Sequence, residues 1–212
     1  MGKIRKGILG GFSGKVGTVV GANWKGIAYM RSLPIKVKNP KTLAQRSQRN
    51  KFALTLSFLK PMTGLIRIGW KLYAQKQSPF NAAMSYTIAN AITGAYPNYS
   101  IDPGAVLISR GSLAGAFNAN ATSTMGSIQF TWTDNSGATT AKTTDKALLA
   151  VLNPTKNEAV FDTENATRTT AAMTLNLPAD WQGNTVEVYI GFVSEDGKEV
   201  ANSVYLGVVI VS

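Results

Sequence analysis

The chain of 212 residues contains no cysteine and no histidine. The first absence excludes disulfides, thiolate nucleophiles and cysteine-based metal sites. The second removes the commonest general base, the commonest transition-metal ligand and the side chain that changes charge near neutral pH. Acids are missing from a whole region, because no aspartate or glutamate precedes Asp102. Long apolar runs are missing too. Lys3, Arg5 and Lys6 could open a signal peptide, but Ile8-Leu9 runs at once into Gly10-Gly11. The apolar stretch 208–211 is far too short for a bilayer. The expectation is a chain without a Sec signal or transmembrane segment, cytoplasmic by default. Three Asn-x-Ser/Thr triplets, at Asn98, Asn120 and Asn165, then read as chance matches.

What is present is charge of one sign. Sixteen lysines and arginines stand in residues 1–101 without an acid, whereas in 102–212 six basic residues meet all eleven acids, for a formal net charge of +11. A split this sharp marks two regions under different electrostatic demands. The hydrophobic fraction of 44% is ordinary for a globular protein, and the length suits one large domain or two small ones.

Residues 1–34 are punctuated by glycine, with short β-favouring runs at 16–20 and 27–30 and a turn expected over 21–26. This describes a ribbon, marginal alone. Asn39 suits a helix cap and Pro40 a first turn, so a helix is expected over 42–60, broken at Pro61. A second is expected over 65–74. A third over 78–92 has Ser78 as cap, Pro79 in its first turn and Gly94 as its stop. Prolines 97 and 103 mark a boundary. Beyond it seven strands are expected, at 105–108, 127–133, 147–152, 159–161, 170–177, 185–193 and 200–211, with Trp132 in their core. The fold class is therefore α+β with two domains. Residues 1–98 form a basic domain, a glycine-rich β-ribbon plus about three helices, and 104–212 an acidic immunoglobulin- or fibronectin-like β-sandwich.

Three segments carry a resemblance: Lys6 to Gly26 with Trp24-Lys25-Gly26, the Asn39-Pro40 helix start with Gln45-Arg46, and Phe192-Val193-Ser194-Glu195-Asp196-Gly197-Lys198. They resemble an uncharacterised family of Bacteroidota proteins over essentially the whole chain. The resemblance implies no activity.

Gly11-Phe12-Ser13-Gly14-Lys15 is the nearest approach to a phosphate loop. It lacks the spacing and the Ser/Thr after the lysine, so the glycines read as turns and close packing. Asp134-Asn135-Ser136-Gly137 reads as a turn, not a calcium loop. No catalytic residue, cofactor or metal site is expected. The candidate anion- or partner-binding set is Arg31, Lys36, Lys38, Lys41, Gln45, Arg46, Arg49 and Lys51, residue types suited to carboxylates, phosphates and base edges. Aromatics at 24, 29, 70, 73, 86, 96 and 99 are available to stack bases or to fill a core. The expected function is non-enzymatic. The basic N-terminal half docks on an acidic partner or on copies of the same chain, as a homo-oligomer or with another protein. The alternative is nucleic-acid binding through the same half, with the sandwich as an interaction module.

Overall fold

The structure is a computed structural model that describes residues 2–4, 10–24, 26–35 and 41–212. Two compact units divide it, Met1–Thr42 and Leu43–Ser212. In the first, strands β1 (Lys3–Ile4), β2 (Phe12–Val16), β3 (Val19–Trp24) and β4 (Ile27–Ser32) pair antiparallel in chain order. The turn expected over 21–26 is largely strand. Asn23 Oδ1 accepts from the Gly26 amide at 2.9 Å, and Gly26 takes a φ of +91°, so the chain reverses between Trp24 and Ile27. Lys36, Lys38 and the cap at Asn39-Pro40 lie outside the described residues.

The second unit begins with α1 (Leu43–Leu59), ended by a 3₁₀ turn at Lys60–Met62 that contains Pro61. Helix α2 (Thr63–Gly69) is shorter than the expected 65–74, passing into a 3₁₀ turn at Lys71–Tyr73. Ser78 caps α3 (Pro79–Asn90), accepting from the Asn81 amide at 3.2 Å. Gly94 does not stop that helix. It sits at φ +82° in β5 (Ile92–Ala95), which pairs with β6 (Asn98–Ile101) as a hairpin.

Seven strands follow: β7 (Phe117–Thr124), β8 (Ser127–Thr133), β9 (Lys146–Asn153), β10 (Glu158–Asp162), β11 (Ala172–Asn176), β12 (Thr185–Val193) and β13 (Val204–Ile210). They form a four-stranded sheet ordered β10-β9-β12-β13 and a three-stranded sheet ordered β11-β8-β7. The expected strand at 105–108 is instead a 3₁₀ turn at Pro103–Ala105 and an irregular segment. Its amides at Ile108 and Ser109 donate to the Ser203 hydroxyl. The Asn/Thr-rich β7 was not expected. It lies at a sheet edge with most side chains in water, so its sequence carries little apolar alternation.

Side-chain direction along β9 and β12 explains the layering. Ala147, Leu149 and Val151 point with Val186, Val188, Ile190 and Phe192 into the core shared with Ile128, Phe130 and Trp132 of the smaller sheet. The intervening Leu148, Ala150, Leu152, Tyr189 and Val193 pack on the other side against Leu59, Leu65, Ile66, Trp70 and Ala83 of the helical region. The four-stranded sheet is thus a middle layer whose central strands β9 and β12 are buried on both faces, while β10 and β13 at its edges keep exposed side chains such as Phe161 and Val208. The division expected between 1–98 and 104–212 is therefore not where compactness divides the chain. The helices and the sandwich share a core, and the break falls between Thr42 and Leu43. Gly69 allows the close fit: a Cβ there would lie 2.5 Å from the Ile108 carbonyl oxygen.

Candidate functional site

With the units known, the charge asymmetry moves. Residues 1–42 hold nine basic and no acidic residues, and 43–212 hold thirteen against eleven. Nearly all of the net charge sits in the ribbon. Strand register sorts its side chains by face. Lys15, Val20 and Arg31 align across three strands on one face. Lys3, Ser13, Ala22, Trp24, Ile27 and Tyr29 share that face. On the other lie Phe12, Gly14, Val16, Val19, Gly21, Asn23, Ala28, Met30 and Ser32, with no charge among them. One face is cationic and aromatic, the other apolar. No described apolar side chain of this unit is buried; Met30 is 70% exposed, Trp24 61% and Ile27 64%.

The candidate residues do not form one cluster. Arg31 lies on the cationic face of the ribbon, exposed. Lys41, with φ 48°, precedes α1 and belongs to the first unit, so helical periodicity does not align it with Gln45. Gln45, Arg46 and Arg49 are exposed on the first turns of α1. Lys51 differs. Its ammonium sits 4.8 Å from the centre of the Tyr99 ring, and it is half-buried. Ser47 and Tyr99 share a 2.7 Å hydroxyl contact, and Asn50 Nδ2 donates to the Pro97 carbonyl at 2.8 Å. Positions 47, 50 and 51 therefore fasten α1 to the β5–β6 hairpin.

The aromatics are similarly sorted. Trp70 is buried and donates through Nε1 to the Leu107 carbonyl at 3.0 Å. Its ring, with those of Tyr73 and Tyr86, surrounds the Arg110 guanidinium at 5.8, 4.7 and 5.1 Å. Tyr99 holds Lys51. Trp24 and Tyr29 of the ribbon are exposed, the latter 44%, and in the helical region Phe52 and Tyr73 are exposed as well.

The acids of the body are largely structural. Asp145 and Arg168 form an ion pair at 3.1 Å with both side chains fully buried. Arg168 also donates to the carbonyls of Ala114 and Gly115 and to Asn135 Oδ1 at 2.9, 3.2 and 2.6 Å, and lies 4.0 Å over the Phe192 ring. Nothing in the residues around position 168 distinguished this arginine from a surface cation. Glu187 accepts from the Tyr205 hydroxyl. Burial and that neighbouring carboxylate raise the Tyr205 phenol well above its ordinary range. The Asp196 carboxyl is held well below the usual carboxylate range by the Ser194 hydroxyl and the Lys198 amide, both donating to Oδ1. Asp134 accepts from the Ser136 amide at 2.8 Å, the expected turn. Among the described residues no group of three or more acids gathers into a metal-binding cluster, and no helix is long and apolar enough to cross a membrane.

A family described as a family of unknown function (DUF6266) matches residues 11–207. No curated protein matches the chain. Among solved structures, the solution structures of the fn3 domain of the human collagen alpha-1(XX) chain are similar at 15% identity and a TM-score of 0.35, over 49% of this chain and 91% of that one.

Proposed function

The chain belongs to this family of unknown function, and with that as premise we propose that it is a non-enzymatic structural or assembly protein whose basic N-terminal part docks on an acidic partner or on copies of itself. The ribbon carries this reading. It combines nine cations and no acid with an uncharged apolar face in water. A four-stranded sheet with no buried apolar side chain among its described residues gains stability when another surface covers that face. Carboxylates opposite Lys3, Lys15 and Arg31 would add steering and register. The body supplies the folded platform. We read its sandwich as fibronectin type III-like, because β10 pairs with β9 in the larger sheet. A constant-type immunoglobulin has its fourth strand beside the equivalent of β11.

Light scattering on the whole chain and on residues 43–212, at low and high salt and with and without nuclease, tests the proposal. The whole chain is expected to exceed its monomer mass at low salt, nuclease leaving the mass unchanged, and the fragment to stay monomeric. A whole chain that is monomeric at every salt concentration and unretained on heparin overturns it.

One observation favours nucleic acid as a second reading: Trp24 and Tyr29 share a face with Lys3, Lys15 and Arg31, an arrangement able to stack bases and meet phosphates. Affinity for a single-stranded oligonucleotide would then fall by about 10³–10⁵ between 50 and 200 mM salt if six to ten phosphates are met. A mass that collapses on nuclease treatment selects this reading over the first.

A further inference from the structure

The helical layer carries a groove of about 380 Å³. Leu56 of α1 and Pro79 and Phe80 at the start of α3 supply its apolar wall, and Lys60, Thr63 and Arg67 its polar one. Leu56 is 37% exposed, and Phe52, one turn earlier on the same face of α1, is 51% exposed. The helix secures itself to the body through other positions, with Thr55 and Leu59 buried. Phe52 and Leu56 therefore form an apolar strip that the fold does not use. Lys60 and Arg67 are exposed, and neither enters an ion pair among the described residues. No acid occurs anywhere in residues 43–101 to neutralise them locally.

We propose that this groove takes an amphipathic helix of a different protein. Its apolar stripe would seat on Phe52, Leu56 and Phe80, and its flanking carboxylates would meet Lys60 and Arg67. Helix-in-groove recognition uses anchors at i, i+3 or i+4, and i+7. Phe52 and Leu56 stand one turn apart on α1 and Lys60 opens the 3₁₀ turn that follows, a span of about 12 Å, the length of two turns of a bound helix. Charge decides the occupant. The described α-helices of a second copy do not supply it, because α1, α2 and α3 all precede Asp102 and hold no carboxylate. The inference rests on the assembly reading above and names a heterologous partner for it.

The test uses the whole chain and a fluorescein-labelled synthetic 18-residue peptide. The peptide has leucines at i, i+3, i+4 and i+7 and glutamates flanking that stripe, and binding is read by anisotropy at 150 mM salt. The expected result is saturable binding that weakens about fivefold to tenfold in Lys60→Glu/Arg67→Glu, two exposed charge pairs being lost and reversed. Leu56→Glu should weaken it similarly. The charge-matched Lys142→Glu/Lys198→Glu control should bind as the parent does. Lys60→Gln/Arg67→Gln provides the same readout if the reversal disturbs folding. Equal binding of a scrambled peptide of the same composition overturns the proposal, as does full displacement by dodecanoate or by oligo(dT). Self-association that is lost in Lys60→Glu/Arg67→Glu would also overturn it, in favour of a second copy. Failure here leaves the ribbon-dependent mass change untouched, and the reverse also holds, so the two proposals fail separately.

Discussion

Residues 1–42 and residues 43–212 treat apolar surface in opposite ways. The ribbon spreads Val16, Val19, Trp24, Ile27, Tyr29 and Met30 over the faces of one sheet and buries none of them. The body stacks two sheets and a helical layer, so that β9 and β12 are covered on both faces. Apolar content alone does not make a core; a second layer does. The same contrast separates roles. In the body several charges are tied into the fold, as with Asp145–Arg168 and Lys51 on Tyr99. In residues 1–42 they accumulate with one sign, and the described ones, Lys3, Lys15, Arg31 and Lys41, are exposed. The buried core lies in one unit, while the ribbon, on the proposed reading, serves recognition.

The largest test of this contrast is truncation. Residues 43–212 should melt cooperatively, while 104–212 should not. Removing the helices uncovers Leu148, Leu152, Tyr189 and Val193. At about 1.5–3 kcal/mol for each large apolar side chain, the loss rivals a net stability of about 5–15 kcal/mol. Circular dichroism during heating decides it, and a sharp melt of 104–212 would make the sandwich an independent domain after all.

Next in size is the buried ion pair. Arg168→Met leaves Asp145 buried without its partner and should cost about 3–5 kcal/mol in urea unfolding. Replacing both, Asp145→Leu with Arg168→Met, should cost less than the single change. A smaller single-variant effect, near zero, would mean water reaches the carboxylate.

A third comparison sets one apolar truncation in each unit side by side. Leu148→Ala, in the middle layer, should cost about 2–5 kcal/mol. Met30→Ala, on the open face of the ribbon, should change the stability of the isolated chain by about 0.5 kcal/mol or less. Equal effects would mean that the ribbon possesses a core.

The smallest effect is with pH. The folded Asp196 carboxyl is depressed, so its hydrogen bonds stabilise the 194–199 turn above the ordinary carboxylate pKa and are lost only as pH falls through the lower folded value. In an NMR titration the Lys198 amide should hold its shift through the usual carboxylate range and move below it. Ribbon resonances should stay still, because residues 1–42 contain no aspartate or glutamate. An Asp196 side chain titrating at its ordinary pKa contradicts the first half.

Much of the body was legible from residue order. Ser78-Pro79 announced α3, Pro61 the end of α1, and the alternation of Ile128, Phe130 and Trp132 a half-buried strand. The double burial was also written in the chain. The runs 147–152 and 188–193 are nearly continuous in apolar residues, the pattern of a strand covered on both faces. A periodicity search marks such runs as strands without saying what covers the second face. β7 escaped because an edge strand with polar side chains looks like a loop. Of the candidate site, Arg31, Arg46 and Arg49 were visible as charges and Gln45 as a polar residue beside them. Whether Lys51 or Arg110 is available depends on which ring lies beside it, and no local pattern carries that.

By itself the sequence determined the chemistry this protein lacks, the one-signed charge of its first hundred residues and six of the seven strands of its sandwich. These follow from composition and short-range alternation. Tertiary structure decided the rest: that the helices belong with the sandwich, that the boundary falls at Thr42 and that Arg168 is a core residue. It also decided that the ribbon divides into a cationic and an apolar face. Each of these depends on which surfaces meet across long separations in the chain, and burial is a property of the meeting, not of either segment alone.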